Sequence, residues 1–231
     1  MNTPARQVGL IPMRQGPWFP GFISSMPIGR PESIRRLSQA LASDKLIALI
    51  GVRDPEGEVK SVRDLYSIGS LVYVEDAFNR GDGVYLALMR GLCRIKVHSL
   101  NTATGTATVV EASDDSSQSP PIESMKRELS ERLLVLCQKA KLENCETWII
   151  RQLDGNRSAS GMSDLDVILG AALNCLRGAP EIFQPSQQLQ ALQRWHDVLA
   201  RPSPEERFQH ALAELDGLIE SLCVNEISKE N

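Results

Sequence analysis

The amino-acid sequence predicts an α+β protein whose strand-rich first half is followed by an all-helical second half. Three observations carry this. Short apolar runs and alternating segments continue up to Glu111; a polar, proline-ended stretch follows at Ser113–Pro121; beyond it apolar residues recur at helical spacing. The expected organisation is a β domain over residues 1–112, a linker over 113–121 and a helical subdomain over 122–231. A chain of 231 residues accommodates one large domain or two modest ones.

Residues 1 to about 7 read as a loose leader. The stretch from Val8 to Ile50 organises the rest: two short apolar segments broken by Phe19-Pro20-Gly21, then Gly29-Arg30, a helix over Pro31–Ser43 and an apolar strand over Leu46–Val52. Pro31 suits a first helical turn, where its missing N–H has no intrahelical partner, and Glu32 lies at the positive helix end. Helical spacing puts Ile34, Leu37 and Leu41 on the inner face and turns Arg35, Arg36 and Gln39 outward. Gly16-Pro17 interrupts the first strand, which is expected to be shortened or bulged because proline cannot donate to a ladder.

Pro55-Glu56-Gly57-Glu58 has the composition of a turn. Strand signals resume over Ser70–Phe78, and Asn79-Arg80-Gly81-Asp82-Gly83 reads as a hairpin loop returning through Val84–Met89. After Gly91, Cys93, Ile95 and Val97 fall on one face and Arg94 and Lys96 on the other, the pattern of a half-buried strand. Thr102–Glu111 suits a last strand. In the second half Ile122, Met125, Leu129, Leu133 and Leu136 mark a long helix that continues to about Leu142 or through Trp148. Asp154–Gly161 breaks it, and Ser163 with Asp166 can cap a further helix to Leu176. Helices over Ser186–Ala200 and Pro204–Val224 complete the bundle; Leu189, Leu192 and Leu199 line one, and Phe208, Leu212, Leu215, Ile219 and Leu222 the other.

Several residue groups, taken in order, resemble the N-terminal domain of the Lon family of ATP-dependent proteases. They are Ile11-Pro12-Met13-Arg14, Phe19-Pro20-Gly21, Gly29-Arg30, Ser33-Ile34, Asp54-Pro55, Asp64-Leu65-Tyr66, Ile68-Gly69-Ser70 and Gly91-Leu92 with Arg94-Ile95. Leu165–Leu173 and Glu206-Arg207-Phe208 are similar to the helical bundle that follows it. The resemblance implies a PUA-like β pseudo-barrel with one or two helices, and a domain that engages unfolded or tagged polypeptides and supports assembly of the protease. The chain departs from that pattern at Gln15, at Gly16-Pro17-Trp18 and at Ser24-Ser25.

A complete Lon protease needs an ATPase and a serine-lysine peptidase module. No GxxxxGK[ST] phosphate loop occurs in the chain, and no Gly-Lys dipeptide at all. The three histidines, His98, His196 and His210, read as a strand-end residue and two helix-boundary residues rather than bases, and no Gly-x-Ser-x-Gly or HExxH motif accompanies them. Asp114-Asp115 lies in the linker, which cannot hold two carboxylates rigidly. Five dispersed cysteines without a CxxC pair read as reduced, buried thiols, and no metal ligand set or cofactor is expected. The longest apolar run, around Leu46–Val52, is far short of the ~20 residues of a membrane helix, so a cytoplasmic location and no membrane partner are expected.

What remains is recognition of polypeptides. Trp18, Phe19 and Phe22, beside the Gly-Pro break, are the candidate substrate-binding residues, as large aromatics can anchor a partner. The competing reading is that they cap the barrel's core. The leading functional expectation is a non-catalytic Lon-N-like protein that grips polypeptide substrates, alone or as adaptor or competitor beside a full-length protease, possible self-association included. The second is the N-terminal portion of a longer ATP-dependent protease. The third is a PUA-like RNA-binding module, against which stands the net charge of −4 with no basic stripe; no nucleic-acid partner is expected.

Overall fold

A computed structural model describes residues 4–113, 122–139, 164–177 and 185–227. The chain falls into two compact units, Met1–Ser113 and Asp114–Asn231. In the first, the strands are β1 (Arg6–Met13), β2 (Ile23–Ile28), β3 (Leu46–Gly51), β4 (Ile68–Asn79), β5 (Tyr85–Asn101) and β6 (Thr106–Glu111), with helix α1 (Pro31–Leu41) and a short 3₁₀ turn at Val62–Asp64. The sheet order is β2-β5-β4-β3-β1-β6, and β5 also pairs with β6. That last pairing closes β1, β3, β4, β5 and β6 into a ring and leaves β2 as an appended edge strand. Closure is made possible by the length of β5, which pairs with β2 over Tyr85–Arg90 and with β6 over Ile95–Asn101.

The ring encloses one apolar core. Val8, Leu10, Leu46, Ala48, Ile50, Leu71, Ile95, Val97, Ala107 and Val109 point inward from its strands, with Val52 and Leu65 closing one end. Each such fully buried aliphatic side chain contributes about 1.5 to 3 kcal/mol. All six residues of β3 are buried, because α1 packs on β1 and β3 and covers the outer face as well.

Two local expectations change on folding. The two strands read on either side of Gly91 are one continuous strand, β5, with a register shift opposite Leu71 and Val72. Thr102–Gly105 is the hairpin turn into β6 rather than strand, with Gly105 at φ 62° and its N–H bonded to Asn101 O at 2.7 Å. The hairpin at Asn79–Gly83 forms as read: Gly81 and Gly83 take φ 90° and 80°, and Arg80 N–H donates to Val84 O at 2.9 Å.

The helical unit contains α2 (Ile122–Lys139), α3 (Asp164–Arg177), α4 (Pro185–Ala200) and α5 (Pro204–Ile227). The expected continuation of α2 toward Trp148, the break at Asp154–Gly161 and most of the linker lie outside the described residues. α2 packs on α3 and α5, and α3 and α4 each pack on α5. Met125, Leu129, Leu133 and Leu136 of α2 are buried, as are Leu192, Trp195 and Leu199 of α4 and Phe208, Leu212 and Leu215 of α5. Ser163 lies outside the described residues, and the Asp166 carboxylate, read as part of a cap, is committed elsewhere. It takes a two-pronged pair from Arg207, Nε to Oδ1 at 2.9 Å and Nη2 to Oδ2 at 3.2 Å, while Arg207 Nη1 donates to Arg201 O at 3.1 Å. Both partners are buried, which joins α3 to α5 through a desolvated, well-satisfied ion pair.

Candidate functional site

The three aromatics singled out from sequence sit in the core. Trp18, Phe19 and Phe22 are 2%, 0% and 1% exposed, so they present no anchor to a partner. The reason is the tight course of the loop between β1 and β2. Gly21 N–H donates to Gly91 O and Gly91 N–H to Phe22 O, both at 3.0 Å, which straps the loop across β5. Trp18 Nε1–H donates to Phe22 O at 3.2 Å, and the two rings pack with centroids 5.5 Å apart. The Ser70 hydroxyl donates to Trp18 O. Arg94, foreseen on an outer face, stands opposite Ser70 in the ladder; the same loop covers that row, and Arg94 is buried.

The surface instead offers two features that sequence reading missed. The first is the extension of the barrel formed by β2, the start of β5 and the end of β4. Register places Pro27, Leu86 and Phe78 in one cross-strand row, Ser25, Leu88 and Asp76 in the next, and Ile23, Arg90 and Tyr73 in a third. All nine share a face, since residues directly opposite in antiparallel strands project to the same side. That face is wet: Ile23 is 37%, Leu88 38% and Phe78 57% exposed, three of the four large exposed apolar residues among those described. Arg90 borders it, held by Glu75 at 2.7 Å and lying 5.7 Å from the Tyr73 ring centroid. Beside it runs β2, the terminal strand of the sheet order, with Pro27 in the edge position such a strand tolerates.

The second is a cleft of about 390 Å³ beside the start of α1. Arg14, Arg30 and Arg36 line it together with Glu32 and Glu58, over a floor that includes Leu10, Val59 and Leu100. Arg36 was expected to point outward and is instead 5% exposed. The helix is turned so that Ser33, Arg36, Leu37 and Ala40 form the buried stripe, and Ile34 is only half-buried. Gly105 makes the room: a Cβ there would overlap the guanidinium itself, whereas one on Gly9 would only reach ordinary contact with Arg36 Cβ at 3.7 Å. Burial lowers the Arg36 pKa from its ordinary value, the nearby Arg35 charge lowers it further, and Glu32 opposes both.

The histidines take three different places. His98 is exposed and His210 half-exposed, but His196, read as a boundary residue, is 1% exposed inside the bundle. Burial, with a smaller push from Arg177, holds its pKa down to about 3. In the unfolded chain the ring takes a proton near 6.5, so between about 3 and 6.5 the unfolded state binds more protons. Stability is therefore complete above 6.5 and falls as pH drops toward 3. Denaturant titrations at about pH 7 and about pH 5 should show this loss, and His196→Leu should flatten it.

Among the described residues no group of His, Cys, Asp or Glu is placed to hold a metal ion. No described helix is long and apolar enough to cross a membrane. Burial and the Glu111 charge push the Cys93 thiol up to about 11, so it stays protonated at neutral pH.

Comparison with known proteins places this arrangement. The sequence model of the ATP-dependent protease La (LON) substrate-binding domain matches residues 7–195. Lon protease 4 of Sorangium cellulosum is 34% identical over 99 residues, which is 43% of this chain and 12% of that protein. Lon protease 1 of Bdellovibrio bacteriovorus is 30% identical over 142 residues, 59% of this chain and 18% of that protein. The chain thus corresponds to less than a fifth of either relative's length. The N-terminal domain of a Mycobacterium avium complex Lon protease shares the fold, with a TM-score of 0.59 at 14% identity over 91% of this chain and 98% of that one. With the match running from β1 into α4 and the same architecture in a solved Lon N-terminal domain, the chain belongs to the Lon substrate-binding domain family.

Proposed function

We infer that this protein is a non-catalytic polypeptide-binding module that grips unfolded or tagged chains, as a free-standing adaptor or beside a full-length protease. The observation that carries it is the exposed apolar face of Ile23, Leu88 and Phe78 lying against the open edge of β2. An extended segment can add main-chain hydrogen bonds to such an edge while alternate side chains rest on the apolar row, which reads exposure of backbone and greasy residues rather than one sequence. Folded proteins seldom leave backbone and apolar side chains exposed together, which favours unfolded chains as partners. Family membership supports the same reading, as does the lack of a nucleotide loop in the sequence.

Binding of a reduced, carboxymethylated protein, followed by fluorescence anisotropy, should fall in the micromolar range. The double variant Ile23→Asp, Leu88→Asp should weaken it by at least about tenfold, because each lost apolar contact is worth about 1 kcal/mol or more and charge repels the rest. Unchanged affinity in that variant, or peptidase activity in the purified protein, would refute the reading.

A second reading is supported by the relatives being Lon proteases that extend well beyond the matched region. In it the same surface serves as the N-terminal portion of a longer ATP-dependent protease. A Walker motif downstream in the same reading frame would decide for it.

A further inference from the structure

We propose that the arginine-lined cleft beside α1 is a binding site for a single carboxylate carried on a short apolar group, as at the C-terminal residue of a polypeptide. The proposal deepens the polypeptide-binding reading, on which it rests for the source of the ligand but not for the site itself.

The argument starts from an unbalanced charge. Arg36 is 95% withdrawn from solvent, yet among the described residues its guanidinium makes one hydrogen bond, Nη1 to Gln39 Oε1 at 3.5 Å, and no carboxylate pairs with it. A buried guanidinium ordinarily has a carboxylate or several acceptors, since taking the charge out of water is otherwise uncompensated. Arg207 in the same chain shows the satisfied case, with a two-pronged carboxylate and a carbonyl. Arg36 has room for such a partner, and none of the described residues supplies it. Arg14 adds a second open donor: its Nη2 donates to Gly57 O at 3.0 Å, while Nη1 is buried with no hydrogen-bond partner among the described residues. Arg30 stands exposed at the helix start and lines the same cleft.

Charge and shape then narrow the ligand. Three guanidinium groups face two carboxylates, Glu32 and Glu58, so the cleft carries one net positive charge. Glu58 is drawn partly toward Lys60, 3.6 Å away on the exposed rim. A singly charged anion brings the site to neutrality, whereas a phosphate dianion would leave it with a net negative charge. Leu10, Val59 and Leu100 give an anion of bare phosphate type nothing to touch, but they give an apolar side chain a floor continuous with the barrel core. The volume of about 390 Å³ suits one or two residues, not a long segment. The planar guanidinium fork matches carboxylate geometry and supplies the strong, charge-assisted bonds such recognition needs. Arg36 also lines a second hollow of about 680 Å³ with Gln39 and Asp44; the Asp44 carboxylate there makes the far side of Arg36 the less favourable one for an anion.

The test uses the whole chain and a short fluorescent peptide ending in Ala-Leu, as the free acid and as the C-terminal amide. The free acid should bind at least about tenfold more tightly, the difference expected for one charge-assisted contact in a desolvated site. Arg36→Met, which keeps an apolar stem of similar reach, should remove that difference. Arg30→Gln, at an exposed position that cannot disturb the core, should reduce it. N-acetyl-leucine should compete, and its affinity relative to the peptide tells the source: equal affinity assigns the site to small carboxylic acids, weaker affinity to chain ends. The proposal is overturned if acid and amide bind alike, if both arginine variants keep the preference, or if inorganic phosphate displaces the peptide better than N-acetyl-leucine does. The Ile23→Asp, Leu88→Asp variant should keep the carboxylate preference while losing unfolded-chain binding, and Arg36→Met should do the reverse, so failure of one site is not read as failure of the other.

Discussion

Asp166→Ala is expected to unfold the helical unit or leave it barely folded. Removing the carboxylate takes the two-pronged counter-charge away from the Arg207 guanidinium, which is fully buried. Breaking one side of a buried pair costs about 3 to 5 kcal/mol, against the roughly 5 to 15 kcal/mol that holds a typical domain together. Thermal melts followed by helical circular dichroism should show the loss. Arg207→Met should be harmful by a comparable amount, because it leaves the Asp166 charge buried instead. The double variant Asp166→Leu, Arg207→Met should be milder than the sum of the two, since it removes both desolvated charges. A single variant within about 0.5 kcal/mol of the parent would show that the pair does not hold α3 to α5.

Gly91→Ala should do to the barrel what Asp166→Ala does to the bundle. A Cβ there would overlap Phe19 O and lie 2.9 Å from Phe19 C and 3.0 Å from Pro20 Cα, all of them backbone, which cannot swing aside as a side-chain end can. The loop must lift, and with it go the hydrogen bonds between Gly91 and both Gly21 and Phe22. Trp18, Phe19 and Phe22 then lose their burial. A cost of about 3 kcal/mol or more is expected from overpacking and broken hydrogen bonds together. Chymotryptic cleavage in the loop should accelerate along with the fall in melting temperature. Gly217→Ala on α5 is the control: nothing lies within 4 Å of its added Cβ, so it should be neutral or stabilising by up to about 1 kcal/mol. Equal effects at the two glycines would show that close approach is not what Gly91 provides.

The contrast between these glycines shows what a one-dimensional pattern carries and what it does not. Strand positions, the Asn79–Gly83 hairpin and the switch to helical spacing after the polar stretch were legible, because each follows from residues near one another in sequence. So was the family, since its marks are short groups in a fixed order. Leu192, Leu199, Phe208 and Leu215 are buried where their spacing put them. His196 showed the limit: read as a helix-boundary residue like His210, it went inside, because a residue type says nothing of its burial.

Which side of an element is covered depends on partners distant in sequence, and there the tertiary structure decided. Periodicity put Leu37 inward and Arg36 outward, but Gly105 on the β5–β6 turn, lacking a Cβ, leaves space that the Arg36 guanidinium from α1 fills. The sequence left the first-loop aromatics open between an exposed anchor and a core cap, because nothing local announces that Gly91, some seventy residues on, will receive their backbone. The exposed apolar face arises in the same way, from β2 having one neighbour where every ring strand has at least two. Composition and spacing thus determined the two-part architecture and its family. Closure of the barrel, through β5 pairing at both its ends, decided which side chains water can reach, and accessibility is what makes a residue available to bind.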